Sequence, residues 1–294
     1  MNLIQETNFI MKKYNIVAQK SYGQNFLINE EVIHKIIDQT QITKNDLVIE
    51  IGPGLGNLTS RLLEFAGKVV AIELDPKMIK ILNDRFSLYN NFEIINEDIL
   101  KVNIADIIAQ NLSYKSFKVV ANLPYYITTP IIMKLLEEKS NLTSITVMVQ
   151  KEVANRLNSL NPSITQKDVG AISYAVKYYS NSEIIINVPK TDFIPIPKVD
   201  SAVIKLDILK SPAVNVSNER NLFKIIKTSY MQKRKTLVNA LVNGKITDKD
   251  TILKILSELN IDSKIRPEQL SLDDFANITN ALDNEQKGTL RNTE

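Results

Sequence analysis

The chain has 294 residues and no cysteine, which excludes disulfides and thiolate metal sites. A single histidine, His34, removes imidazole clusters as well. It falls on an amphipathic stretch and reads as a surface or core-edge residue, so no metal is expected. The absence of thiols fits a reducing compartment, and a cytoplasmic location is expected. Long apolar runs are lacking too. No stretch approaches the roughly 18 apolar residues a membrane helix needs. Residues 1–14 carry Glu6, Lys12 and Lys13 and resemble neither a signal peptide nor an anchor. The net charge is only +3.

What is present is an apolar content of 44% and a charged content of 23%, the balance of a soluble globular protein. The length is enough for a sizeable core and two domains. Charge is unevenly spread. Residues 219–245 hold seven bases (Arg220, Lys224, Lys227, Lys233, Arg234, Lys235 and Lys245) against one acid. Such a run fits a phosphate-rich partner or a solvated helix face.

Four apolar runs separated by helical segments define the first half of the chain. Leu47-Val48-Ile49-Glu50-Ile51 is a buried strand that enters Gly52-Pro53-Gly54-Leu55-Gly56, and a helix follows over residues 57–65. Glycines let a backbone approach a ligand closely. The third glycine comes one residue too early for the dinucleotide fingerprint, position 57 is Asn, and no Lys-Ser/Thr pair marks a phosphate loop. The E-x-G-x-G-x-G form resembles the first motif of S-adenosylmethionine-dependent methyltransferases. A second strand over residues 68–73 ends at Glu73. That is about twenty residues beyond Gly52, the spacing of an acid that grips a ribose, while Asp75-Pro76 reads as a helix start. A third strand, from residue 92, ends in acids, and Asp98 can accept from an adenine amino group. The fourth, residues 118–121, leads into Asn122-Leu123-Pro124-Tyr125-Tyr126. This β-α-β alternation predicts a doubly wound, mostly parallel sheet.

Pro124 cannot extend a ladder, so the fourth strand should end in an extended turn at a ligand-bearing sheet edge. The exocyclic amine of adenine is a poor nucleophile because its lone pair is delocalised. Two acceptors on its N–H bonds would draw it toward a tetrahedral shape. The Asn122 side-chain oxygen can be one; the carbonyl of Leu123 or of Pro124 can be the other. The Tyr125 ring can stack on the base, worth about 1–3 kcal/mol. An ordinary β–α turn would use the same residue types.

Further along, a helix is expected from Thr129-Pro130 to about residue 139, a strand over 143–150, a helix over 151–158 and a break at Asn161-Pro162. Residues 183–188 and 201–207 read as closing strands. The loop between them, Phe193-Ile194-Pro195-Ile196-Pro197, is stiffened by proline, so Phe193 is either a second stacking face or a hydrophobic plug. Residues 211–217 read as a linker. Helices are expected over 221–242, 248–259 and 272–282, with a disordered polar tail from about 284. The expected division is therefore a catalytic domain over residues 1–210 and a helical domain over 211–294.

In order along residues 20–280, these motifs resemble one family, the small-subunit rRNA adenine-N6,N6-dimethyltransferases. The matching stretches are Gly23-Gln24-Asn25-Phe26-Leu27, Glu50 to Gly56, Glu73-Leu74-Asp75, Asn122-Leu123-Pro124-Tyr125 and Gln150-Lys151-Glu152-Val153-Ala154. They continue with Pro197-Lys198-Val199-Asp200-Ser201-Ala202-Val203, Lys233-Arg234-Lys235-Thr236-Leu237 and Arg266-Pro267-Glu268-Gln269-Leu270-Ser271. The resemblance implies a Rossmann-like seven-stranded α/β fold with a small C-terminal helical domain. It implies a pocket for S-adenosylmethionine at Gln24, Asn25, Leu27, Gly52, Gly54, Glu73, Leu74, Asp98, Ile99 and Asn122. The target adenine would be held by Asn122, Leu123, Pro124, Tyr125 and Phe193, and RNA by Arg220, Lys224, Lys227, Lys233, Arg234 and Lys235. The implied partner is 16S rRNA in the small ribosomal subunit or its precursor; a monomer is expected, since no long exposed apolar face suggests an obligate dimer, with neither DNA nor membrane involved. Tyr126 stands where many members have Asn, and Thr128 where many have Ser. Both suggest altered packing of the target pocket, not lost chemistry. The alternatives are a large-subunit rRNA methyltransferase of the antibiotic-resistance type and an assembly factor that binds RNA without turnover. A DNA methyltransferase lacks support because no target-recognition insertion is evident. A dehydrogenase would need a later third glycine and a catalytic His or Tyr-Lys pair.

Overall fold

A computed structural model describes residues 1–18, 23–161, 168–232 and 235–291, residues 286–291 by their backbone alone. It divides into two compact units, residues 1–158 with 181–208, and residues 159–180 with 209–294.

The first unit begins with helix α1 (Leu3–Lys13), which the sequence reading had not assigned. Asn2 and Gln5 close a reciprocal capping box at its start, satisfying donors that a helix end leaves open. A two-residue strand β1 (Phe26–Leu27) and helix α2 (Glu30–Thr40) follow. Then come β2 (Asp46–Ile51), α3 (Asn57–Phe65), β3 (Lys68–Glu73), α4 (Pro76–Phe86), β4 (Phe92–Asn96), α5 (Ile104–Ala109) and β5 (Ser116–Asn122). Helix α6 (Thr128–Glu137), β6 (Ser144–Gln150) and α7 (Lys151–Leu157) complete the parallel winding. The expected strands and helices through residue 158 are present to within a few residues.

In the second unit, Asn161 lies at the edge of the described residues and Pro162 outside them, so the expected break there is not described. Helix α8 (Ala171–Tyr179) lies in this unit, and the chain then returns to the first unit with β7 (Ser180–Val188), the short β8 (Phe193–Ile194) and β9 (Ser201–Ile208). The seven strands lie in the order β4-β3-β2-β5-β6-β9-β7. Pairs β2–β3, β3–β4, β2–β5 and β5–β6 are parallel, and β6–β9 is antiparallel. Ile49 of β2 sits opposite Val70 of β3 and Val119 of β5, all fully buried. Strand β2 therefore has β3 on one side and β5 on the other. The winding reverses here, and the carboxyl ends of β2 and β5 form the edge where open α/β sheets bind ligands.

The second unit also holds α9 (Glu219–Met231), α10 (Leu237–Asn243), α11 (Lys249–Glu258) and α12 (Leu272–Arg291). The single helix expected over 221–242 is instead two. Gln232 leaves helical dihedrals at φ −124° and ψ 64°, and Thr236 starts α10 by accepting the Asn239 amide. The tail expected to be disordered from about 284 continues α12 to Arg291, where Lys254 pairs with Glu285 at 2.7 Å. Residues 159–180, which the sequence reading left in the first domain, cluster with these helices. The Tyr174 hydroxyl reaches the carbonyls of Leu270 at 2.7 Å and Pro267 at 3.2 Å. Its ring packs edge-on against Phe275. The Arg266 to Ser271 stretch is thus a short turn closed on a buried tyrosine. Burial pushes the Tyr174 pKa up to about 12.

Candidate active site

The carboxyl ends of β2, β3, β4 and β5 surround a cleft with about 1040 Å³ of empty space, its open mouth included. Its floor is the turn after β2. Gly52, Gly54 and Gly56 all have positive φ, at 65°, 58° and 84°, a region that side chains with a Cβ rarely adopt. A Cβ on Gly54 would stand 3.2 Å from the Phe26 ring, and one on Gly56 only 2.6 Å from Phe86. The first keeps the floor flat under the β1 loop. The second lets α3 and α4 approach.

Glu73, at the end of β3, holds this floor. Its Oε2 accepts the Gly54 amide at 3.2 Å, and Oε1 accepts the Leu74 and Asp75 amides at 2.9 Å. Burial raises its pKa, and these three amides oppose that rise. A carboxylate has about four acceptor sites, so capacity remains for a ligand hydroxyl. Asp75 caps α4 through the Lys77 amide and also accepts from Gln24 Nε2 at 3.0 Å. Asp98 closes its own turn by accepting the Leu100 amide.

The β5 end supplies the polar mouth. Asn122 Nδ2 donates to the Asn25 carbonyl at 2.9 Å, which leaves its side-chain oxygen as an acceptor on the cleft. The Pro124 carbonyl already accepts the Ile127 amide and the Thr128 hydroxyl at 3.0 Å. Tyr125 is anchored by a 2.6 Å hydrogen bond between its hydroxyl and that of Ser201, and burial raises its pKa.

Every residue expected at the donor pocket lines this cleft: Gln24, Asn25, Leu27, Gly52, Gly54, Glu73, Leu74, Asp98, Ile99 and Asn122. So do Leu123, Pro124 and Tyr125. Phe193 does not. It is 1% exposed and belongs to the hydrophobic core, because β8 pairs antiparallel with β1 and sets Phe193 opposite Leu27. This corrects the expectation of a stacking face: Phe193 is the plug. Lys233 and Arg234 fall outside the described residues. Arg220, Lys224 and Lys227 are exposed on α9 and Lys235 is exposed before α10. No group of three or more metal-ligating side chains occurs among the described residues.

Glu50 is the functional candidate that sequence reasoning missed. It lies in β2, 1% exposed, and its Oε2 has no hydrogen-bond partner among the described residues. Burial pushes its pKa up to about 8, and the Glu73 charge adds to the rise. The signal available in the sequence was an acid inside the apolar run Val48-Ile49-Glu50-Ile51. Asn57, at the start of α3, was noted only as a departure from the dinucleotide fingerprint.

A model of the family described as ribosomal RNA adenine dimethylase matches residues 16–284. A Ribosomal RNA small subunit methyltransferase A of Clostridioides difficile (strain 630) is 48% identical over 276 residues, 94% of each chain. The protein of that name from Bacillus pumilus (strain SAFR-032) is 47% identical over 281 residues, 94% of this chain and 95% of that one. Among solved structures, a dimethyladenosine transferase from Plasmodium falciparum aligns with a TM-score of 0.72 and 28% identity, covering 90% of this chain and 98% of the other. The 23S rRNA methyltransferase ErmE aligns with a TM-score of 0.66 at 22% identity, covering 88% of this chain and all of that one, a likeness of fold. With the glycine turn, the acids beyond it and the Asn122 mouth in one cleft, and with a family match over nearly the whole chain, this protein belongs to the ribosomal RNA adenine dimethylase family.

Proposed function

We propose that this chain dimethylates the N6 amines of two adjacent adenosines in a hairpin loop near the 3′ end of 16S rRNA, with a role in small-subunit biogenesis. It is an S-adenosylmethionine-dependent rRNA adenine dimethyltransferase. When bound, S-adenosylmethionine supplies an electrophilic methyl group. The residues present fit this donor. The glycine floor offers close approach without a phosphate-binding lysine, Glu73 retains acceptor capacity, and Glu50 leaves a buried carboxyl oxygen unpartnered.

The observation that carries the reading is the Asn122 amide. Its nitrogen is held by Asn25, so the side chain is fixed with its oxygen as acceptor at the mouth of β5. Because Pro124 O is engaged twice, the Leu123 carbonyl is the second acceptor. Asn122 and Leu123 orient the adenine amine, and Tyr125, braced by Ser201, stacks on the base. Extruding the adenosine costs a few kcal/mol, less from an unpaired loop. Orientation of this kind can supply about 7–11 kcal/mol. No strong general base is required, since a methylated ammonium is acidic and loses its proton after transfer.

On α9, Arg220, Lys224 and Lys227 are exposed at steps of four and three, which puts three charges on one helix face. That face and Lys235 are read as the RNA contact, with the second unit forming the substrate-binding part of the chain and the first unit the catalytic part. A cytoplasmic monomer acting on the ribosomal subunit completes the reading. The large-subunit alternative rests only on likeness of fold. The test is methyl transfer from labelled donor to unmethylated small subunits, large subunits and duplex DNA, with mass spectrometry of the digested nucleosides. Dimethyladenosine from small subunits alone is the expected result, and label on large subunits or DNA refutes it.

A further inference from the structure

Helix α1 touches none of the cleft, since no residue of it is among the cleft lining. Yet it is tied by side chains to the two loops that form the floor and wall. Arg85 of α4 donates one guanidinium nitrogen to the Leu55 carbonyl in the glycine turn, and another to Glu6 of α1 at 2.5 Å. The Arg85 side chain is only 12% exposed. Burial lowers its pKa, and Glu6 is the chief group opposing that shift. A buried cation needs such a partner, because an unpaired charge in the interior is costly.

A second tie runs beside it. Asn57, 5% exposed, splits its amide nitrogen between the Thr7 hydroxyl of α1 at 2.9 Å and the Leu27 carbonyl of β1 at 2.8 Å. Thr7 is fully buried, and its own proton goes to the Leu3 carbonyl, so its oxygen is oriented to accept. Leu55, Asn57 and Leu27 all line the cleft. The ends of this segment are pinned independently: the Leu3 amide donates to Glu30, and the Tyr14 hydroxyl to Asp84. Leu3 and Ile10 are seated in the core.

We infer that α1 is a positioning brace for the methyl-donor pocket, in which Glu6 acts through Arg85 on the glycine turn and Thr7 acts through Asn57 on the β1 loop. The inference rests on the donor site proposed above. It makes Glu6, Thr7, Arg85 and Asn57 positioning residues that set donor affinity, not the rate of transfer at saturating donor.

The test uses the full chain with Glu6→Ala, Glu6→Gln, Arg85→Met and Thr7→Val. Calorimetric affinity for S-adenosylhomocysteine, KM for the donor, kcat and the ligand-free melting temperature are measured for each. Glu6→Ala and Arg85→Met are expected to weaken binding and raise KM by about tenfold, the scale of one charge-assisted hydrogen bond, with kcat held within about twofold. Glu6→Gln keeps an acceptor for Arg85 and should recover most of the loss. The Glu6→Ala/Arg85→Met double variant should lose no more than Arg85→Met alone, as serial members of one link do. Thr7→Val removes only a hydroxyl and carries the test if Glu6→Ala fails to fold. Affinities unchanged in Thr7→Val and in every folded Glu6 or Arg85 variant would overturn the brace. So would a fall in kcat at unchanged KM. Failure of the unaltered protein to bind the ligand at all would refute the donor-site reading itself.

Discussion

Glu50→Gln gives the most direct test of the electrostatics at the cleft floor. The substitution keeps the shape of the side chain and removes its ionisation. In the folded chain burial holds the Glu50 pKa near 8 against an ordinary 4.5. Below about pH 4.5 the carboxyl is protonated in both states and contributes no pH dependence. As pH rises from there, the unfolded chain loses the proton while the folded chain keeps it, so stability falls until about pH 8. At about 1.36 kcal/mol per pKa unit, the loss between pH 5 and pH 7 is about 2–3 kcal/mol. Glu73 shifts in the same direction, but its contribution persists in the variant and cancels from the comparison. The assay is chemical denaturation of ligand-free protein, wild type and Glu50→Gln, at both pH values. The wild type should lose about 2–3 kcal/mol more than the variant on going to pH 7. Parallel stability curves, agreeing within about 0.5 kcal/mol, would show that Glu50 titrates normally and refute the argument.

Asn122→Ala should reduce kcat by at least about a hundredfold, as expected for loss of the group that orients the amine. Its donor affinity, read by calorimetry, should stay within a few-fold, and turnover near the wild-type rate would remove Asn122 from its role. Phe193→Leu should cost about 1–3 kcal/mol of stability by urea unfolding while KM for RNA stays within about twofold. A large rise in that KM with stability unchanged would restore Phe193 as a stacking face. Replacing Lys224 and Lys227 with Gln should weaken RNA binding and flatten the slope of log affinity against log salt by about 1–2, as each lost phosphate contact contributes near one unit. An unchanged slope would place the RNA contact elsewhere.

Much of the first unit was legible because apolar strands bounded by charge leave a strong local signal. β3 matches its expected bounds, and β2, β5 and β6 differ from theirs by one or two residues. The cleft lining was equally legible, since glycines and acids occupy strand ends where topology must bring them together. What escaped lacked local marks. Helix α1 buries only Leu3, Thr7 and Ile10, a stripe too short and too polar to stand out in a charged terminus. The break after α9 has no proline or glycine to announce it, and its cause is the backbone turn at Gln232. Prolines around Phe193 signal stiffness but not direction, and the direction is decided by a long-range pairing with β1. Helix α8 follows the first unit in sequence, but its place is set by the buried Tyr174, whose carbonyl partners lie almost a hundred residues away.

Thr128 and Tyr126, where the resemblance implied departures from the family pattern, sit differently at the turn. Thr128 is 2% exposed, and its hydroxyl donates to the Pro124 carbonyl. A serine would supply the same donor. The replacement therefore preserves the bond that shapes the turn and adds one methyl group to packed surroundings. Tyr126 is different: 56% of it is exposed, and its ring would stand 3.2 Å from a Cβ built on Gly23. It forms the outer rim, where a ring closes against the Gly23 backbone, outside the proposed acceptor pair at Asn122 and Leu123. On the proposed function, variation at this rim changes what the mouth presents to an incoming RNA loop. It leaves the Asn122 amide, held by Asn25, where the proposed chemistry needs it.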